Sequence, residues 1–232
     1  MQIVNGLPVI NNLSAAQNYA VNIDSYETIT QSLFDSAPYP TTGINQLTFY
    51  QLPVGSGVGV ISGNAKTPED TNMAAAGNMP AMQAYIITSL EIEVQPGVTT
   101  SFAAAALPSF FGTAAIMSGI NDVYKIRSTG YLNLQIGSKS YMQEGPLMKF
   151  PASNDFEVGG AMANATTAAA SQFSASVYGK AVGPSYVLTP NNLLLIPNQN
   201  FALTLNWATI EPVVSAARIF SRFMGQLMRA AQ

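Results

Sequence analysis

Phe201, Leu203, Leu205 and Trp207 occupy every second position of one short segment, with Ala202, Thr204, Asn206 and Ala208 between them. Side chains alternate across a strand with a period of two, so this spacing sends one apolar row to a core and the other row away from it. A helix would scatter the same residues round its axis. The spacing therefore predicts a central or near-central strand, with Phe201 and the chain's one tryptophan, Trp207, buried.

Other segments repeat the pattern. Residues 85–94 (YIITSLEIEV) place Ile86, Leu90, Ile92 and Val94 on one face with Thr88, and Glu91 and Glu93 on the other. Tyr131–Ile136 alternates, and Gly137-Ser138-Lys139 reads as a hairpin turn into Ser140–Gln143. Residues 44–52 and 123–127, the row Phe173, Ala175 and Val177, and the run Leu193–Ile196 are further strand candidates. Residues 53–81 form a long turn-rich connection, 159–171 a small-residue loop, and 101–120 fits either a short helix or loops. Many short strands separated by turns indicate an all-β sandwich or barrel. Neither an internal repeat nor a linker divides it.

Only 9% of the 232 residues are charged against 48% apolar, where about 25% charged is usual. Asn, Gln, Ser and Thr supply the polarity. Such a surface suits a subunit that covers its outside with copies of itself; the alternative is a secreted or simply low-charge globular domain. Histidine and cysteine are absent. That excludes Ser–His–Asp and Cys–His catalysis, His- or Cys-based zinc sites and disulfides. A net charge of −3 gives no bulk footprint for nucleic acid. The opening Met1-Gln-Ile-Val-Asn-Gly lacks a basic stretch and an apolar run, so no secretory signal is expected. The uncharged stretch Val94–Asn121 is broken by Pro96, Gly97, Pro108, Gly112 and Gly119, which argues against a membrane-spanning helix.

Glu91 and Glu93 lie about 7 Å apart on one strand face, a glycosidase-like separation. Two parallel carboxylates from one strand rarely embrace a substrate, so both are expected at solvent or a neighbouring subunit, with no catalytic role. Glu69-Asp70 and Asp155/Glu157 match no calcium-loop spacing. Gly55-Ser-Gly57-Val-Gly59 lacks both the spacing and the following Lys-Ser/Thr of a nucleotide loop, and reads as a flexible turn.

From Val213 the period of two gives way to VVSAARIFSRFMGQLMRAAQ. On a helix Arg218, Arg222 and Arg229 cluster within about 40° of one another, opposite Ile219, Phe220, Phe223, Met224 and Leu227. Residues 213–229 are thus expected as an amphipathic helix, started by Pro212 and removable without unfolding the sandwich. Its Arg stripe either is solvated and complements the helix dipole, or touches anionic lipid, packaged nucleic acid or an acidic neighbour.

Two segments carry a resemblance. YLNLQIGSKSYMQEGPLMKFP (131–151) and LLLIPNQNFALTLNW (193–207) resemble capsid proteins of tailless icosahedral bacteriophages, some of which enclose a membrane. The resemblance implies an antiparallel β-sandwich of jelly-roll type. Its expected layout is an N-terminal arm or edge strand at 1–40, the sandwich at 41–211 and the C-terminal helix at 212–232. The implied function is that of a non-enzymatic virion subunit, in a major or minor shell role, that self-assembles in the host cytoplasm with copies of itself and other capsid proteins. It implies neither cofactor nor small-molecule substrate, and a lipid membrane or packaged nucleic acid as the target of the tail. The alternative is a carbohydrate-binding or adhesin-type sandwich that uses Tyr39, Tyr50, Tyr131 and Tyr141.

Overall fold

A computed structural model describes residues 2–4, 7–9, 26–59, 64–96, 113–152, 156–162, 173–179, 185–188, 190–214 and 216–230. In chain order the strands begin with β1 (Gln2–Val4), β2 (Leu7–Val9), β3 (Tyr26–Thr30), β4 (Leu33–Tyr39), β5 (Gln46–Phe49) and β6 (Gln83–Pro96). Helix α1 (Thr113–Thr129) follows, then β7 (Gly130–Ile136), β8 (Lys139–Glu144) and a 3-10 turn at Leu147–Lys149. The remaining strands are β9 (Phe156–Met162), β10 (Phe173–Gly179), β11 (Tyr186–Val187), β12 (Leu193–Leu195), β13 (Phe201–Trp207) and β14 (Ala217–Ala230).

Every pairing between these strands is antiparallel. β1 pairs with β2 and β9 with β10, each as a two-stranded ribbon. The rest form two sheets, each four lanes wide. In the first, β14 lies against β6 along its length; β3 and β4 share the lane beyond β14, and β11 and β12 share the lane beyond β6. The second has the order β5-β13-β7-β8. From β4 onward the chain changes sheet at almost every step: β4 in the first, β5 in the second, β6 back, then the β7–β8 hairpin, then β12, β13 and β14 in alternation.

The core lies between the sheets. Leu203, Leu205 and Trp207 of β13 and Leu132, Leu134 and Ile136 of β7 face Leu90, Ile92 and Val94 of β6 and Ile219 and Phe223 of β14, all buried. Fully burying one such side chain contributes about 1.5–3 kcal/mol, so this shared apolar layer is what binds the two sheets together. The alternation seen at 201–207 holds, and β13 lies between β5 and β7 with Phe201 and Trp207 both buried.

The tail is corrected. Residues 217–230 form a strand, not a helix, and that strand is one of the two inner strands of its sheet. The sequence supports both periods: Ala217, Ile219, Ser221 and Phe223 make one alternating row, Arg218, Phe220 and Arg222 the other. What decides is the vacancy between β4 and β6, whose facing edges would otherwise be rows of unpaired backbone groups. A helix could satisfy neither edge.

Residues 85–94 are corrected too. Gly225 pairs with Ile87 and Met224 with Ser89, so Thr88 is an extra residue bulging from β6. Its hydroxyl donates to the Met224 carbonyl at 3.0 Å. The bulge swaps faces. Tyr85 and Ile87 join Leu90, Ile92 and Val94 in the core, while Ile86 packs with Ala84, Leu194 and Met228 in a separate cluster. A Cβ at residue 225 would come within 1.8 Å of the Ile86 carbonyl oxygen, so only glycine fits opposite the bulge. Residues 123–127, expected as a strand, belong to α1, and β9 takes in the first residues of the loop expected at 159–171. Residues 101–112 and 163–171 lie outside the described residues.

Candidate interaction surfaces

As β14 is a strand, Arg218 and Arg222 share a face, but Arg229, an odd-numbered position, does not join them. Arg218 is only 5% exposed. It donates to Asp70 Oδ1 at 3.2 Å and to the Glu69 carbonyl at 2.5 Å. Arg222 donates to Glu93 Oε2. Both guanidinium groups lie over the Phe220 ring, at 4.0 and 4.7 Å from its centroid. Arg229 pairs with Glu27, its neighbour on β3, at 2.8 Å and is half exposed. The three arginines therefore form no common stripe, and each has its own acidic partner within the chain.

Glu91 and Glu93 lie on the face opposite Leu90, Ile92 and Val94, as their spacing indicates, but both are buried rather than solvated. Glu93 also accepts a bond from Gln95 Nε2 at 2.6 Å. Glu91 is 2% exposed, and its Oε1 has no hydrogen-bond partner among the described residues.

Asp70 shows how the long β5–β6 connection is secured. It accepts from the Thr67 backbone N–H and hydroxyl at 3.2 and 3.3 Å, and it meets Arg218. Four residues earlier, Lys66 reaches Asp35 of β4 at 2.5 Å and the Ser36 carbonyl at 2.8 Å. Both members of that pair are nearly inaccessible, 5% and 1% exposed. Asp35 Oδ2 also accepts the Tyr50 N–H at 2.6 Å. Burial raises the Asp35 carboxyl above its usual range, and the opposing pull of Lys66 only partly offsets this. Burial likewise lowers the Arg218 guanidinium against the pull of Asp70. The connection is thus held to the first sheet by buried ion pairs. The sequence signals this only through scarcity: in a chain with nine cations, five stand in ion pairs among the described residues.

The tyrosines separate into two groups. Tyr39 and Tyr50, which the alternative carbohydrate-binding reading places at a ligand surface, are core residues. Tyr39 meets Trp207 edge-on at 5.3 Å and donates to the Glu211 carbonyl; Tyr50 stacks on Phe223 at 4.6 Å and its hydroxyl lies 2.9 Å from Ser221 Oγ. Burial raises both phenols, so they remain neutral hydroxyls. Tyr141 is partly buried, and Tyr131 is 38% exposed.

At the end of the sandwich where the β13–β14 connection lies, both Asp122 carboxylate oxygens accept the Val214 N–H, at 3.1 and 3.0 Å, and Trp207 Nε1 donates to the Ile126 carbonyl at 3.0 Å. Helix α1 is thereby tied to that connection. Tyr124, Ile210 and Val214 are exposed there.

The outer face of the second sheet has a different character. Its register gives one row of Thr48, Thr204, Asn133 and Gln143. On one side lies the row Gln46, Asn206 and Tyr131, and on the other Ala202, Gln135 and Ser140. None of the ten is charged. Lys139 and Glu144 of β8 are register partners of Ile136 and Leu132 and so belong to the opposite face. The side chains are already linked: Gln46 donates to Asn206 at 3.2 Å, Asn206 to Thr204 at 3.3 Å, and Ser140 to Asn133 at 2.5 Å.

Among the described residues, no group of three or more acidic side chains comes together to hold a metal ion, and no helix is long and apolar enough to cross a membrane. Comparison with protein-family models, curated proteins and solved structures gives no match.

Proposed function

We propose that this chain is a jelly-roll shell subunit of a virion, working by symmetric self-assembly rather than by catalysis. The observation that carries the proposal is the lane order. One sheet holds β4, β14, β6 and β12, the other β5, β13, β7 and β8, with the chain crossing between them at nearly every connection. Eight lanes wound in this way support a reading as two interlocked Greek keys, the plan expected of a jelly roll. The two segments that resemble phage capsid proteins support the reading further. They fall on β7–β8 and on β12–β13, and β7 and β13 are direct neighbours, with Leu134 opposite Leu203. The low charge adds to this, since a subunit enclosed by its own copies has less need of charged surface. Under this proposal its partners are further copies and companion shell proteins, its place is the virion, and its assembly site is the host cytoplasm.

A fold alone does not assign a function. The test is therefore the state of the purified chain, measured by light scattering and negative-stain electron microscopy over a range of concentrations. Closed rings, pentamers or shells are the expected result. A stable monomer at every concentration overturns the proposal.

A further inference from the structure

We propose that the uncharged outer face of the second sheet is a self-contact surface, on which a second copy of this chain packs about a two-fold axis. The proposal rests on the self-assembly reading and names the surface that serves it. A two-fold contact brings each patch against itself, so any unpaired charge near the axis meets its own kind. This face carries none, although charged residues occupy the outer face of the first sheet and the opposite face of β8. Amides and hydroxyls both donate and accept, so rows built from them are complementary to their own copies without any sign to match. The existing bonds among Gln46, Asn206, Thr204, Asn133 and Ser140 hold those side chains in place before contact, which reduces the ordering cost of association.

Size sets the strength. Four lanes about 4.8 Å apart, of four, seven, seven and six residues at about 3.4 Å per residue, give a patch of roughly 400 Å² per copy. Stable two-protein complexes bury about 800 Å² per partner. This contact is therefore weak alone and becomes effective as one of several per subunit in a larger assembly.

Thr204, at the centre of the middle row, is the residue to change. The variants Thr204→Glu and Thr204→Lys are prepared separately in the full chain. Folding is checked by the fluorescence of Trp207, and assembly is followed by light scattering. Each variant alone is expected to need a roughly tenfold or greater concentration to assemble, because like charges meet across the axis, and an equimolar mixture of the two is expected to recover. If either variant loses the folded tryptophan signal, Gln135→Glu and Gln135→Lys, at an exposed position on the next strand, carry the same test. Normal assembly of the single variants overturns this surface while leaving self-assembly standing. Failure of the mixture to recover overturns the two-fold arrangement. A wild-type chain that never associates overturns self-assembly and this surface with it.

Discussion

Glu91 and Glu93 stand two positions apart on one face of β6, and the chain treats them differently. Glu93 forms an ion pair with Arg222 and accepts a bond from Gln95, whereas among the described residues a buried oxygen of Glu91 meets no donor. A buried polar atom without a partner costs about 1–3 kcal/mol, and more when charged. Glu91→Gln is therefore expected to leave stability unchanged or raise it, while Glu93→Gln lowers it by about 1–3 kcal/mol by weakening a charge-assisted bond. Urea midpoints of the two variants check this; equal losses would mean that Glu91 has a role its surroundings do not account for. Asp35 gives a pH dependence. Its carboxyl is raised above 3.8 in the folded chain, so the folded state holds the proton more tightly than the unfolded one. The stability from this group is fully present below 3.8 and is lost as pH rises through the higher folded value. Wild-type stability relative to Asp35→Asn should accordingly increase as pH is lowered towards 3.8. Denaturant titrations of both proteins across that range measure the trend, and a difference that stays flat or reverses contradicts it.

At the scale of elements, β6 and β14 form the frame of the first sheet, and one glycine permits their pairing. Gly225→Val forces a side chain onto the Ile86 carbonyl. The expected result is a loss of about 3 kcal/mol or more, or failure to fold, where overpacking an ordinary core site costs about 1–3 kcal/mol. Truncation after Glu211 removes the lane between β4 and β6, so the shortened chain should lose cooperative unfolding, as read by calorimetry. A truncated chain that still melts cooperatively would show β14 to be dispensable. These elements also mark what the sequence reveals. β13 and β7 were legible because their inward rows are apolar, their outward rows polar and their bounds turn residues. β14 was not. In its outward row Arg218 and Phe220 are buried and Arg222 is partly buried, the two arginines held by the β5–β6 connection and by β6, so polar and apolar residues no longer separate by face. The Thr88 bulge was hidden for a related reason. Ile86 and Ile87 are equally apolar, and nothing local says which of them faces the core. The partners of the three arginines lie 129 to 202 positions away in sequence, beyond the reach of any local pattern.

For the molecule as a whole, two sheets share one apolar layer, while their outer faces differ in kind. The first sheet's outer face carries ion-paired arginines and the two glutamates of β6; the second sheet's is uncharged and open. That asymmetry leaves the second sheet's outer face, and not the first's, free of charge for the two-fold self-contact proposed above. The position of β14 has a further consequence, one that concerns time rather than shape. Ala217 pairs with Pro96 and Ala230 with Tyr26, so this inner strand of the first sheet emerges from the ribosome after every strand it joins. Until then β4 and β6 are on hand with facing edges and nothing between them, a state that invites pairing with other nascent chains. Closing a sheet through such distant contacts is also slow. The order of synthesis thus makes the newborn chain most prone to wrong association just before residues 217–230 arrive, and it sets the moment at which a chaperone would matter most.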